Sequence, residues 1–303
     1  MDNAKLPTQR VGPTGRGLLR RARRWGLAAA LLLPLAAPAS QRFPQRIVSI
    51  NVCTDQLVMS LAPRQRIASL SYIAADARTS GIASQVEGIE LNHGIAEEII
   101  ALKPDLVVAG PFGFRPTVGL LKRLGYAVLE LPMAETLEGI GDNLRTLGAA
   151  LGTNERASEL IAEFERRLDR LSVDDKRQRP LFVNYDANGW TTGQTGLLAD
   201  IVHRAGLSTP GDRLGFTQST RVSLEALLLL RPALIDLGYP WDDPPALASE
   251  QRRHPVVRAV MREAKALEIP DSAWLCGTLH SLDALELLRN ARDALLRGAE
   301  NGA

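Results

Sequence analysis

Short apolar runs alternate with helical stripes along the chain from Arg46 onward. Arg46–Asn51 ("RIVSIN") predicts a buried strand, and Thr54–Ala62 a helix that Thr54 or Asp55 can cap. Arg66–Tyr72 predicts a second strand. Ala96–Pro104 predicts a helix whose first-turn acids suit the helix dipole, and Asp105–Gly110 a strand. Thr117–Gly125 (helix) and Ala127–Pro132 (strand) repeat the alternation. Such alternation predicts an α/β lobe with a mostly parallel sheet.

The period then changes. Ala157, Leu160, Ile161, Phe164, Leu168 and Leu171 follow helical spacing, with charges on the opposite face. No strand signal interrupts Asn154–Asp174, so this stretch predicts one long helix, capped by Asn154. From Pro180 the alternation resumes. Pro180–Tyr185, Ala233–Gly238 and Ala273–Thr278 ("AWLCGT") read as strands. Thr195–Gly206, Leu224–Pro232, Val256–Ala266 and Ser281–Gly298 read as helices. The pattern therefore predicts two α/β lobes with a long helix between them.

One unit occurs twice. "AEEIIALKPDLVVAG" (Ala96–Gly110) aligns with "LEALLLLRPALIDLG" (Leu224–Gly238). The alignment pairs Glu97 with Glu225, Lys103 with Arg231, Pro104 with Pro232 and Gly110 with Gly238.

Charge matters only once the N-terminus is set aside. Arg20, Arg21, Arg23 and Arg24 precede a short apolar run from Leu27, which ends in Ala37-Pro38-Ala39. That is the layout of a cleaved secretory signal peptide over residues 1–39. The apolar run is shorter than the roughly 20 residues of a membrane span, and Pro34 interrupts it. Residues 1–39 hold seven of the 36 Lys/Arg and one of the 34 Asp/Glu, so the formal charge moves from +2 to −4 without them. This balance argues against a nucleic-acid partner. Two cysteines exclude a disulfide scaffold, and no zinc spacing is present.

The loops after the predicted strands contain no GxGxxG and no P-loop, so nucleotide binding is unsupported. No GxSxG elbow or Ser/His/Asp set supports hydrolysis, and the chain reads as a non-enzyme without a resident cofactor. The loops are instead aromatic and small: "SINVCTD", "LSYIA", "AGPFGF", "NYDANGWTTG", "LGYPWDD" and "LCGTLH". They supply the candidate ligand contacts Tyr72, Phe112, Tyr185, Trp190, Phe216, Tyr239 and Trp241, whose rings suit a large flat ligand. Arg115 is the basic residue among the first-lobe aromatics and suits an anionic group. Asn51, Thr54 and His280 are further candidates, with helix capping as the competing role. Cys53 and Cys276 lie in strand-end loops of different lobes. A disulfide, cleft-lining thiols and separated inert thiols all remain open from the sequence. No three-residue metal site is legible, which favours a metal already held in an organic chelate.

Four segments carry a family resemblance: "RIVSINVCTDQLVMSLA", "EEIIALKPDLVVAG", "NGWTTGQTGLLADIVHRAGL" with "RVSLEALLLLRP", and "AWLCGTLHSLDALELL". Over about Arg46–Leu296 the chain resembles the periplasmic substrate-binding proteins of ABC importers for ferric siderophores, haem and cobalamin. The resemblance implies two Rossmann-like lobes with mostly parallel sheets joined by one long helix. The expected limits are 46–133 and 179–300 for the lobes and 134–178 for the linking segment. It implies a periplasmic monomer that holds a small-molecule metal chelate between its lobes and delivers it to an ABC permease dimer. A corrinoid is preferred, with a ferric siderophore or haem as the alternative. A periplasmic sensor and an exported hydrolase are the competing classes. The resemblance also implies that Glu97 and Glu225 dock on permease arginines.

Overall fold

The computed structural model describes residues 43–175, 178–186, 189–238 and 253–301, all within one compact unit spanning 42–303. The first half comprises β1 (Ile47–Ser49), α1 (Val52–Leu61), β2 (Ile67–Ser71), β3 (Glu90–Asn92), α2 (Ala96–Ala101), β4 (Leu106–Ala109), α3 (Arg115–Arg123) and β5 (Val128–Glu130). Its sheet has the order β3-β2-β1-β4-β5, with every pairing parallel. Strand alternation explains why the strands read as unbroken apolar runs. Leu106 and Val108 enter one buried cluster, while Val107 and Ala109 enter another on the opposite face.

Two helices follow. α4 (Leu137–Leu151) starts at Thr136, whose hydroxyl accepts from Gly139 N at 3.2 Å, and ends at Gly152 with φ 71°. α5 (Asn154–Leu171) is the expected long helix, and it stops three residues short of Asp174. Its cap is Thr153; Asn154 is already its first helical residue. Gly148 lets the two helices meet, because a Cβ there would lie 2.6 Å from that of Ala157.

The second half holds β6 (Phe182–Asn184), β7 (Trp190–Thr191), α6 (Leu197–Arg204), α7 (Pro210–Leu214), β8 (Thr220–Arg221), α8 (Leu224–Leu230) and β9 (Leu234–Asp236). The helix Pro255–Glu263, β10 (Lys265–Leu267), a short helix Asp271–Trp274 and the terminal helix Ser281–Asn301 follow. Its sheet, β10-β9-β6, is again parallel, and β7 pairs antiparallel with β8. One buried cluster runs through both halves. It takes in Ile47 and Leu70, Leu144 of α4, Phe164 of α5, Phe182 of β6 and Leu285 of the terminal helix.

Several expectations are corrected. Asn51, not Thr54 or Asp55, caps α1, with its Oδ1 accepting from Cys53 N at 2.9 Å. Asp55 is instead buried, bound to the Ser71 hydroxyl and amide. The helix expected over Val256–Ala266 ends at Glu263, because Lys265–Leu267 pair with β9 as an edge strand. "AWLCGT" is not a strand. Pro270 fits the residue before a first turn, and Asp271–Trp274 is helical with the bends of Leu275–His280 after it.

Candidate functional site

In a parallel sheet, ligand loops gather at the carboxyl ends of the strands. From the first half, Asn51, Tyr72, His93, Gly110–Phe114 and Leu131–Ala134 follow β1 to β5. From the second half, Asp186, Gly238 and Glu268 follow β6, β9 and β10. The halves meet here. A recess of about 70 Å³ is walled by Asn51, Cys53, Phe112 and Met133 on one side and by Leu275 and Cys276 on the other. A wider hollow of about 520 Å³ lies between Ala77 and Arg78 and the segment Ala266–Pro270, with Gly238 on its wall.

A disulfide joins Cys53 to Cys276 across this boundary, with a Cα–Cα distance of 5.1 Å. The two thiol readings therefore fall. The sulfurs line the recess as a neutral, apolar bridge and supply no thiolate. Closing so long a loop removes unfolded-state entropy worth about 5 kcal/mol in the chain-entropy description.

Other expected contacts divide between cleft and core. Phe112 is the most open, at 63% exposure. Tyr72 is exposed and stacks on His93 with ring centroids 5.0 Å apart. Trp190 lies on the β7–β8 ribbon, exposed, with the Arg221 guanidinium 5.4 Å from its ring centre. Arg115 is exposed at the start of α3. Phe216 is half-buried, its carbonyl accepting from Gln194 N. His280 is half-buried, with Nδ1 3.3 Å from Asp283 Oδ2. Its ring packs on Gly81, where any Cβ would collide with it.

Thr54 is buried beneath the recess, its hydroxyl bound to Ser49 Oγ at 2.8 Å and to Asn51 O at 2.9 Å. Tyr185 corrects the expectation for its loop. It is fully buried in the cluster formed with Val183, Leu227 and Ile235, and its hydroxyl donates to Val222 O at 3.4 Å. Its position directly after β6 keeps the core face of the strand going, so its ring packs inward. Tyr239 and Trp241 lie outside the described residues.

Glu97 and Glu225 are both exposed in the first turns of α2 and α8. The Ser223 hydroxyl, which also caps α8, holds the Glu225 carboxyl below its usual range. Sequence reading missed His93, whose Nδ1 sits 3.2 Å from Glu98 Oε1. It also missed two buried carboxyls. Burial pushes both Asp55 and Asp236 up to about 7, against the opposing hydrogen bonds of Ser49 and Ser71 to the first and of the Ile269 and Gly238 amides to the second. Asp236 Oδ2 has no hydrogen-bond partner. Among the described residues, no group of three or more His, Cys, Asp or Glu could hold a metal ion, and no helix is long and apolar enough to cross a membrane.

Two parallel α/β halves, back-joined by helices and opposed along their ligand edges, define a two-lobed binding protein of the helical-backbone class. The chain belongs to the periplasmic binding protein family, whose model matches residues 82–254. It is 24% identical over 210 residues to a cobalamin-binding protein of Halobacterium salinarum, a match covering 68% of this chain and 57% of that protein. The chain thus spans little more than half the length of that relative. Among solved structures it is similar in fold to the periplasmic haem-binding protein HutB of Vibrio cholerae. That match has a TM-score of 0.67 and 16% identity, and covers 81% of this chain and 98% of that one. It is also similar to the periplasmic vitamin B12-binding protein BtuF of Vibrio cholerae, with a TM-score of 0.62 and 19% identity over 84% and 98% of the two chains.

Proposed function

We infer that this protein is the solute-binding component of an ABC importer. It captures a corrinoid between its lobes, without catalysis, and delivers it to a permease dimer. The observation that carries this reading is the facing of exposed aromatic and apolar side chains from both halves: Tyr72, Phe112 and Met133 against Trp190 and Leu275. Such surfaces suit a large, mostly apolar ring, and the scarcity of basic groups among them disfavours a highly anionic ligand. The cobalamin-binding relative supports the same choice. The ligand set in this reading is Asn51, Tyr72, Phe112, Arg115, Trp190, Phe216 and His280, joined by Tyr239 and Trp241. Cys53, Cys276 and Thr54 form the floor. Residues 1–39 act as a cleaved export signal, so the mature monomer works in the periplasm, with its lobes within 46–133 and 179–300 and the linking segment at 134–178.

A ferric chelate or haem is the second reading. Tyr72 and His93, stacked and exposed, offer an oxygen and a nitrogen to iron. Calorimetry and absorption titration of residues 40–303 with cyanocobalamin, haemin and a panel of ferric siderophores separate the two. Saturable binding of cyanocobalamin at or below micromolar concentration is expected. Binding of haemin or a siderophore alone favours the second reading, and binding of none of the three classes overturns both.

A further inference from the structure

The α8 helix leaves most of its apolar surface uncovered. Of Leu224–Leu230, Leu227 alone is buried. Leu229 is 82% exposed and Leu228 46%. Two adjacent, largely exposed leucines are a cost to a monomer unless another surface covers them. Their placement on the helix is specific. Leu228 and Leu229 stand three and four positions after Glu225, so the carboxylate and both leucines share one helix face. Below them, beside the C-terminal end of α8, lies a recess of about 490 Å³ with Leu214 and Leu229 on its walls and Arg213 and Arg231 at its rim. Both arginines are exposed, and neither takes part in a salt bridge among the described residues.

The face therefore has an ordered pattern: one acid, two leucines, then a recess with two bases. We propose that the outer face of α8, from Glu225 through Leu228 and Leu229 to the recess at Arg213 and Arg231, is one docking strip for the periplasmic face of the importer's permease. The permease would present a basic group to Glu225, an apolar side chain to the leucines and an acidic group to the two arginines. The strip rests on the importer reading and extends its docking contact from one residue to a surface. The partner is favoured over a second copy of this chain by charge: a strip with an acid at one end and bases at the other meets its own kind correctly in one antiparallel register only, whereas Glu225 already points to a basic partner. α2 carries Ala101 where α8 carries Leu229, so the apolar part of the strip belongs to one lobe.

The test uses the mature chain with the ABC permease–ATPase complex that supports its uptake, reconstituted in lipid nanodiscs. Leu229→Glu is expected to raise the dissociation constant about tenfold or more, as loss of an apolar interface anchor does. Its melting curve and its affinity for cyanocobalamin should stay unchanged, because the side chain is outside the core and the cleft. Leu228→Ala with Leu229→Ala should weaken docking in the same direction by less. The double reversal Glu97→Arg, Glu225→Arg is the control for the importer reading. Loss of docking in the control with wild-type docking by Leu229→Glu overturns the strip and leaves that reading standing. Intact docking in the control overturns the docking reading together with the strip. A wild-type dimer in sedimentation that Leu229→Glu splits, or equal binding to protein-free nanodiscs, assigns the leucines to another occupant and also overturns the strip.

Discussion

The two copies of the helix–strand unit, Ala96–Gly110 and Leu224–Gly238, agree in backbone and differ in chemistry. Each places an exposed glutamate in the first turn of its helix. Each buries the residue two positions later, Ile99 or Leu227. Each turns from helix to strand through a non-glycine residue in the left-handed region, Lys103 at φ 47° and Arg231 at φ 45°. Reuse of so uncommon a conformation at matched positions shows that the turn geometry is what the two units share. The differences lie where each copy meets its surroundings. The turn of the first copy is tied by Arg46, whose guanidinium donates to Leu102 O at 3.0 and 2.7 Å. The position of Val108 in the first copy is held by Asp236 in the second, a carboxyl in place of an apolar side chain. Gly110 packs against the Asn51 side chain, whereas Gly238 takes φ 67° beside Asp186.

Three changes test how far the copies depend on one another and on these differences. The largest effect is expected from Cys53→Ser with Cys276→Ser, which removes the link between the halves that carry the copies. Denaturant unfolding should show a loss of several kcal/mol, about 5 in the entropic account, and an unchanged midpoint would mean that the shared core alone sets stability. A smaller effect is expected at Asp236. Its folded pKa stands near 7, well above the 3.8 of an ordinary aspartate. The folded state therefore binds the proton more tightly. Stability is highest below the unfolded value and falls as pH rises from about 4 to about 7, then levels off. Asp55 acts in the same direction over the same window. Asp236→Asn with Asp55→Asn should flatten this slope, read as melting temperature from pH 4.5 to 8. A wild-type protein as stable at pH 8 as at pH 5 would contradict the assignment. The smallest effect is expected from Lys103→Gly and Arg231→Gly. Each relieves left-handed strain of about 1 kcal/mol, less the chain entropy that glycine adds to the unfolded state. The two variants should shift stability by similar small amounts, and a large difference between them would show that the turns are not equivalent.

What the sequence makes legible follows from burial. Strands buried on both faces carry continuous apolar runs, and β1, β2, β4, β6 and β9 were readable for that reason. Outer strands lack this signal. In β3, Glu90 and Leu91 are exposed and Asn92 is buried for its hydrogen bonds, with Nδ2 donating to Ser49 O, Ser69 Oγ and Leu70 O. In β10 the exposed Lys265 and Ala266 pass for the end of a helix. Cleft residues are harder still. Tyr72 and Tyr185 both follow a strand, yet one faces outward and one inward, because the parity of each strand end decides it and the sequence does not mark the last paired residue. The loop of Tyr239 and Trp241 was singled out for its rings and falls outside the described residues. The pairing of Cys53 with Cys276 depends on how two lobes approach in space, and spacing along the chain holds no trace of that.

The same bond gives the molecule a topology. Cys53 and Cys276 are 223 positions apart, so the covalent chain is a large ring that threads both sheets, with two tails. A single proteolytic cut anywhere on the ring opens it without dividing it. The nicked protein keeps its full mass until a reductant is added, whereas a cut in either tail releases a fragment at once.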